Sequence, residues 1–419
     1  MIIHPVQREQ TADSYTLSTK IEWETKATDN PESLWYTFPS KYESVISENY
    51  DGFLVPLVAV AMFHKENIKV CGPVSKELLY SLDTYQQILN FWHPEFFSVI
   101  QITADSVAEA SSCAATKGTM CTYTGGIDSS YTLWSHLPAN ETDVNYNITH
   151  ALYVTDLGLH LENQETVAAK VTSFTDLTDS LGIEFVPVET NAKLFHQYGD
   201  QTPMYMSEGA LILGPVAFFE QVVSNFLYSS DETHDGEIFE VINHTLVPLL
   251  GTSNMNVRVH AASVSRLEKL SALATWPATH NRLVVCWKNP DQLNNCDTCN
   301  KCCYTMAGIQ IQNLTGVFKT FPEKVPRSNY RACRSEKGFT LIFEKLIYHA
   351  KKNKQWAIAV DYTWALWVSR LHIWLEDVRL SSLRQPVTIM YIVSGALRQK
   401  STTYGRLLDK VKGVKNVQA

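Results

Sequence analysis

The sequence predicts an α/β protein built on a doubly wound, mostly parallel sheet, flanked by an N-terminal α+β accessory domain and a helical C-terminal region. Three observations carry this. From Gly118 to about Ile311, short apolar strand candidates alternate with helix-length segments, a pattern that calls for parallel strands joined by helical crossovers. The first 110 residues mix strand-like and helix-like pieces without that alternation. Residues 341–419 carry a net charge of +8 against -16 for the first 340. The divisions expected are therefore 1–110, 111–335 and 336–419. A chain of 419 residues suits two or three domains at roughly 150 residues each.

Within the N-terminal part, Thr16 to Trp23 and Ile68 to Cys71 read as strands, and Ser75 to Trp92 reads as a helix. No catalytic motif appears there. In the middle part Thr119 to Tyr123 is the first strand, running into a Gly-Gly turn, and Ala151 to Thr155 is the second. A helix should follow, because Val167, Val171, Phe174 and Leu181 share one face and Gly182 can end it. Ile183 to Val188 is the third strand, 207–223 a helix, and Asn225 to Tyr228 the fourth strand. In the tail, Trp364, Trp367, Leu371, Trp374 and Val378 recur at helical spacing. This stripe is expected to pack on the main domain or on a second subunit, which makes a homodimer plausible.

Composition narrows the function. A net charge of -8 argues against a general nucleic-acid binder, although the basic tail could form a local basic face. The opening MIIHPVQREQ holds no apolar run, and the longest one, Phe53 to Phe63, contains Pro56. It falls short of the roughly 20 residues a membrane span needs. The expectation is a cytoplasmic protein without membrane association. Four of nine cysteines fall between Cys296 and Cys303, a clustering that reads as metal or sulfur chemistry in a chain without a secretion signal.

The motif richest in chemistry is Tyr123-Thr124-Gly125-Gly126-Ile127-Asp128-Ser129-Ser130. It follows a buried strand and opens a helix. Gly125 and Gly126 let the backbone turn and bring N–H groups close to an anion. Ser129 and Ser130 add hydroxyl donors at a helix N-terminus, where the dipole favours phosphate. No lysine follows at the offset that a P-loop of the kinase and GTPase type requires.

This segment resembles the SGGxDS pyrophosphate loop of N-type ATP pyrophosphatases, the PP-loop family, with Thr124 in place of the first Ser and Gly125, Gly126, Asp128 and Ser129 matching. The resemblance implies an adenine nucleotide alpha hydrolase-like fold in which the loop grips the β,γ-pyrophosphate of ATP and Asp128 lies near the phosphates and their Mg²⁺. Val154 and Thr155, ending the second strand, would join Thr124 to Ser130 in holding the nucleotide. Ligands of such sheets sit beyond the carboxyl ends of the strands.

Cys286, Cys296, Cys299 and Cys302 form a C-x9-C-x2-C-x2-C array, suited to a structural Zn²⁺ site with four thiolates. It resembles the zinc segment of 7-cyano-7-deazaguanine synthases, which are themselves PP-loop enzymes. Cys303 could substitute for Cys302 as the fourth ligand, and an iron–sulfur cluster is the rival occupant. The resemblance covers residues 118–311 and neither terminal region.

Arg266 and Lys269 lie three apart, so both could reach one anion, and PP-loop enzymes place a basic residue here against pyrophosphate or adenylate. Ser229, Ser230 and His260 are candidates to touch substrate. Cys113, in a small-residue segment expected near the ATP site, could carry a persulfide delivered by a cysteine desulfurase, whereas Cys121 reads as strand filler. The implied activity is an ATP-dependent sulfurtransferase. It would adenylate the lactam oxygen of a small purine-like heterocycle and replace it with sulfur, as in guanine to 6-thioguanine, releasing AMP and pyrophosphate. Insertion of nitrogen, thiolation of tRNA, and non-catalytic binding of adenine nucleotide are the alternatives.

Overall fold

The computed structural model describes residues 1–25, 30–110, 117–155, 164–196, 207–235, 244–289, 293–336 and 339–377. The chain runs β1 (Ile2–Ile3), β2 (Gln7–Gln10), β3 (Ser14–Glu22), β4 (Ser33–Pro39), α1 (Asp51–His64), β5 (Ile68–Ser75), α2 (Lys76–Trp92) and β6 (Ile102–Ala108). The middle part adds β7 (Gly118–Thr122), α3 (Ile127–Ser135), β8 (Ile148–Val154), α4 (Gln164–Ser180), β9 (Glu184–Thr190), α5 (Glu208–Ala217), β10 (Val223–Ser229), β11 (Asn256–His260) and α6 (Arg266–Leu273). Helices α7 (Asn300–Ile311), α8 (Arg327–Ala332), α9 (Thr340–Lys352) and α10 (Trp356–Asp377) complete it. The fold is α/β on a mostly parallel sheet.

The described strands form one 11-stranded sheet of order β11-β10-β7-β8-β9-β4-β3-β1-β5-β6, with β2 paired to β3. Strands β7 to β11 are all parallel. The N-terminal strands join them through an antiparallel pairing, Tyr36 opposite Thr190 and Thr37 opposite Glu189. Residues 1–110 therefore extend the same sheet. Alternation along the strands divides the core between two faces. Met120, Leu152, Val186 and Phe226 point to a layer shared with the N-terminal half. Cys121, Tyr153, Phe185 and Leu227 point the other way, onto Phe174 and Leu177 of α4. Helix α1 is buried along Asp51 to Met62, which explains the apolar run without a membrane. No described helix is long and apolar enough to cross one.

The helices of the C-terminal region pack on the cysteine segment, but not by the tryptophan stripe. Tyr362, Ala365 and Leu366 of α10 are buried in a core with Cys302, Cys303 and Phe343. Asp361, also buried, is held by Arg327 at 2.7 and 2.9 Å and by Arg331 at 2.6 Å. Trp364 and Trp367 are 53% and 47% exposed and lie against each other, ring centroids 5.5 Å apart. Of the two partners expected for the stripe, the main domain does not cover Trp364 and Trp367. Small residues and a single tyrosine let α10 approach its neighbours closely, and the bulky indoles fall on the opposite face. Leu371 and Trp374 are half-buried, and Val378 lies outside the described residues.

Candidate nucleotide cleft and thiol cluster

Strand β7 lies between β10 and β8, so the chain winds to one side of β7 first and to the other side later. The crevice beyond the carboxyl end of such a strand is where open α/β sheets bind ligands. The loop Tyr123–Gly126 occupies that position. Gly125 has φ 75°, a conformation that disfavours any residue with a Cβ. Gly126 is extended, and a Cβ there would meet only Thr124 Oγ1 at 3.5 Å, so its bareness leaves room for an approaching ligand. Ser129 Oγ accepts from Thr124 N at 3.1 Å and lies 3.0 Å from Thr124 Oγ1, which closes the turn.

A cleft of about 280 Å³ opens over this loop. Thr124, Gly126, Asp128 and Ser129 line one wall, Tyr153, Val154 and Lys170 the floor, and Val284 to Trp287 with Lys301 the facing wall. Burial brings the Lys170 ammonium down to about 8. Ser130 is buried, its backbone N–H donating to Gly126 O at 3.1 Å, and it does not line the cleft. Thr155 is also buried, donating to Val188 O at 3.2 Å. Of the nucleotide-binding candidates, then, Thr124, Gly126, Asp128, Ser129 and Val154 meet at one cavity.

Arg266 and Lys269 do reach the same anion, but it is a carboxylate of the protein. Helix α6 starts at Arg266 because Ser265 and Glu268 form a capping box. From that first turn Lys269 Nζ bonds Asp128 Oδ1 at 2.9 Å and Ser230 O at 2.6 Å, with its side chain 1% exposed. Arg266 lies 3.4 Å from Asp128, 3.7 Å from Glu232 and 4.0 Å from Asp231. Burial opposes its charge, yet the three carboxylates outweigh burial and hold the guanidinium firmly protonated. Burial also raises the Glu232 carboxyl above its usual range, with Arg266 opposing. Glu232 and Asp231 were not legible as site residues, since a Ser-Ser-Asp-Glu stretch after a strand carries no motif.

The substrate candidates separate. Ser229 Oγ is a buried hydroxyl with no hydrogen-bond partner among the described residues, and Arg266 Nε is another such atom. Ser230 is buried and bonded to His244 Nε2 at 2.6 Å and to Glu232 O. His260 is packed away from the cleft, 3.1 Å from Thr132 Oγ1 and with its ring 4.4 Å from that of His136. Burial, reinforced by His136 and Lys269, lowers it to about 3. A folded-state value below the unfolded 6.5 means that neutral His260 supports the fold above pH 6.5. This support is lost progressively as pH falls toward 3. His260→Gln is expected to flatten the loss of stability over that window, and urea midpoints of both proteins between pH 7 and 4 check it.

Cys113 lies outside the described residues. Lys117, four positions on, stands at the amino end of β7 and donates to Glu220 O at 2.8 Å, at the sheet edge away from the loop. Cys121 is buried on the strand, and burial raises its thiol to about 12.

The sulfurs of Cys286, Cys296, Cys299 and Cys302 lie within 4.8 Å of one another, a group that could hold a metal such as zinc. Backbone N–H groups point at three of them: Asn289 N to Cys286 at 3.2 Å, Cys299 N to Cys296 at 3.3 Å, and Cys302 N to Cys299 at 3.4 Å. Such donors stabilise thiolate charge and orient the ligands. The sharp turn after Cys296 needs Asp297 at φ 58°. Cys303 is not in the group. Its sulfur lies 3.8 Å from Asp297 O and from Asn329 O, because adjacent positions on α7 face about 100° apart. Cys302 is therefore the fourth member. Val284 N bonds Gly125 O at 3.1 Å, so the cysteine segment is tied directly to the loop.

No family model, curated protein or solved structure matches this chain.

Proposed function

We propose that this chain is an ATP-dependent adenylating enzyme of the PP-loop kind, and that it replaces the lactam oxygen of a small purine-like heterocycle with sulfur or nitrogen. The observation that supports it most is the loop at the carboxyl end of β7, with Asp128 turned into a cleft beside Arg266. The loop would hold the β,γ-pyrophosphate of ATP, and Mg²⁺ would neutralise phosphate charge near Asp128. The carbonyl oxygen of the substrate attacks the α-phosphorus. An O–P bond forms, the bond to the β-phosphate oxygen breaks, and pyrophosphate leaves with the electron pair. The nucleophile then adds at the activated carbon, and AMP departs with the former carbonyl oxygen. Arg266 would steady the charge that grows on the departing phosphates. The four thiolates would hold Zn²⁺, whose part is to fix the facing wall.

Cys113, the thiol that favoured sulfur as the nucleophile, lies outside the described residues. The assay decides between the elements. Pyrophosphate release from ATP is measured with purines, deazapurines and tRNA, each with sulfide, with a cysteine desulfurase or with ammonium. Release that depends on one heterocycle supports the reading, and the mass of the product names the nucleophile. Adenine-nucleotide binding without release under every condition would favour a non-catalytic nucleotide-binding protein.

A further inference from the structure

We propose that Lys301, carried inside the thiol cluster between Cys299 and Cys302, is the contact for the α-phosphate of the nucleotide. This rests on the adenylating reading above and assigns a part of the site that the sequence motifs do not reach. The cleft over the loop adjoins a second chamber, lined among others by Asp231, Glu232, Tyr304 and Arg334. Lys301, Arg266, Trp287 and Glu208 line both spaces, so they stand where a nucleotide held by the loop would meet a second substrate. In a nucleotide whose pyrophosphate sits on the loop, the α-phosphate is the group that lies at that junction.

Charge selects Lys301 from these four. Arg266 and Lys269 are already engaged by Asp128, Asp231 and Glu232, three carboxylates against two cations. Lys301 is exposed to the cleft and enters no ion pair among the described residues. It is a compact cation on a flexible stem, mounted on a turn of backbone that the neighbouring thiolates would hold rigidly once a metal is bound. Glu208 is the carboxylate within reach of its charge, and burial raises that carboxyl with Lys301 opposing. A cation without an ion pair thus stands at the junction and attracts the negative oxygens of the α-phosphate while pyrophosphate leaves with the electron pair.

The test separates the two ends of the nucleotide. Binding of AMP and of inorganic pyrophosphate is measured by calorimetry on the full, zinc-loaded chain and on Lys301→Ala, Lys301→Gln and Lys301→Arg. AMP affinity should fall at least 10-fold in Lys301→Ala and Lys301→Gln, return to within about 3-fold of the parent in Lys301→Arg, and leave pyrophosphate affinity within about 3-fold throughout. Metal analysis of each variant keeps the reading clean, and Lys301→Gln decides if Lys301→Ala loses zinc. Unchanged AMP affinity overturns the assignment, as does an equal loss of AMP and pyrophosphate in a variant that keeps its zinc. A parent protein that binds neither probe overturns the adenylating reading itself, a result distinct from failure of Lys301 alone.

Discussion

Asp128→Ala is expected to destabilise the fold by about 3–5 kcal/mol, in addition to abolishing pyrophosphate release, because it strands a buried ammonium. Lys269 is 1% exposed and has two oxygen partners among the described residues, Asp128 Oδ1 and Ser230 O. Removing the carboxylate leaves the charge facing one carbonyl, so the lysine must deprotonate or draw water inward. Asp128→Asn keeps an oxygen acceptor at the same place and should lose much less stability, while still failing at any step that needs the carboxylate charge. Replacing the pair together, Asp128→Ala with Lys269→Met, should recover most of the stability and none of the activity. Urea unfolding and pyrophosphate release, measured on the three variants, check this. A stable Asp128→Ala protein, within about 1 kcal/mol of the parent, would show that the ion pair does not hold α3 to α6.

What could be read from the sequence followed from local pattern. β7, β8, β9 and β10 fall on the predicted strands, and α4 ends before Gly182, whose φ is 69°. Those assignments needed only period and punctuation, which act over a few residues. The thiol cluster was legible for the same reason, since two C-x2-C steps lie on one short stretch. The parts that were not legible depend on residues distant in sequence. The join of β4 to β9 brings Tyr36 opposite Thr190, and no local signal announces a partner so far away. Trp364 and Trp367 fall on an exposed face, since periodicity finds a helix face without saying what covers it. Arg266 and Lys269 were expected to meet one anion, but that it is Asp128 is a matter of three-dimensional charge balance. Glu232 and Lys301 meet at the second chamber only because β10 ends and α7 begins beside it.

Cys299→Ser should abolish metal binding by the four thiols and, with it, loosen one wall of the cleft over the loop. Cys299 is the most central of the four thiols: it caps α7 by accepting from Cys302 N at 3.4 Å, and its own N–H bonds Cys296 at 3.3 Å. The hydrogen bond with Cys302 is the chief reason its thiol is held down to about 5, which favours the thiolate that a metal needs. Structural zinc sites in small peptides bind with about 10–16 kcal/mol of apparent free energy that is shared with folding. Here Phe318, Tyr330, Phe343 and Tyr362 form a core beside the cluster, so loss of the metal should loosen the segment rather than unfold the chain. Without that anchor, the bond from Val284 N to Gly125 O and the placing of Trp287 and Lys301 over the loop have nothing behind them. The expected result is a fall from one zinc per chain to nearly none, a lowered unfolding midpoint, and loss of ATP binding with the sheet intact by circular dichroism. Cys303→Ser, next to Cys302 but turned toward Asn329, should keep its zinc and its affinity. Equal zinc content in the two variants, or an iron–sulfur absorption band in the parent, would overturn the assignment of the four ligands.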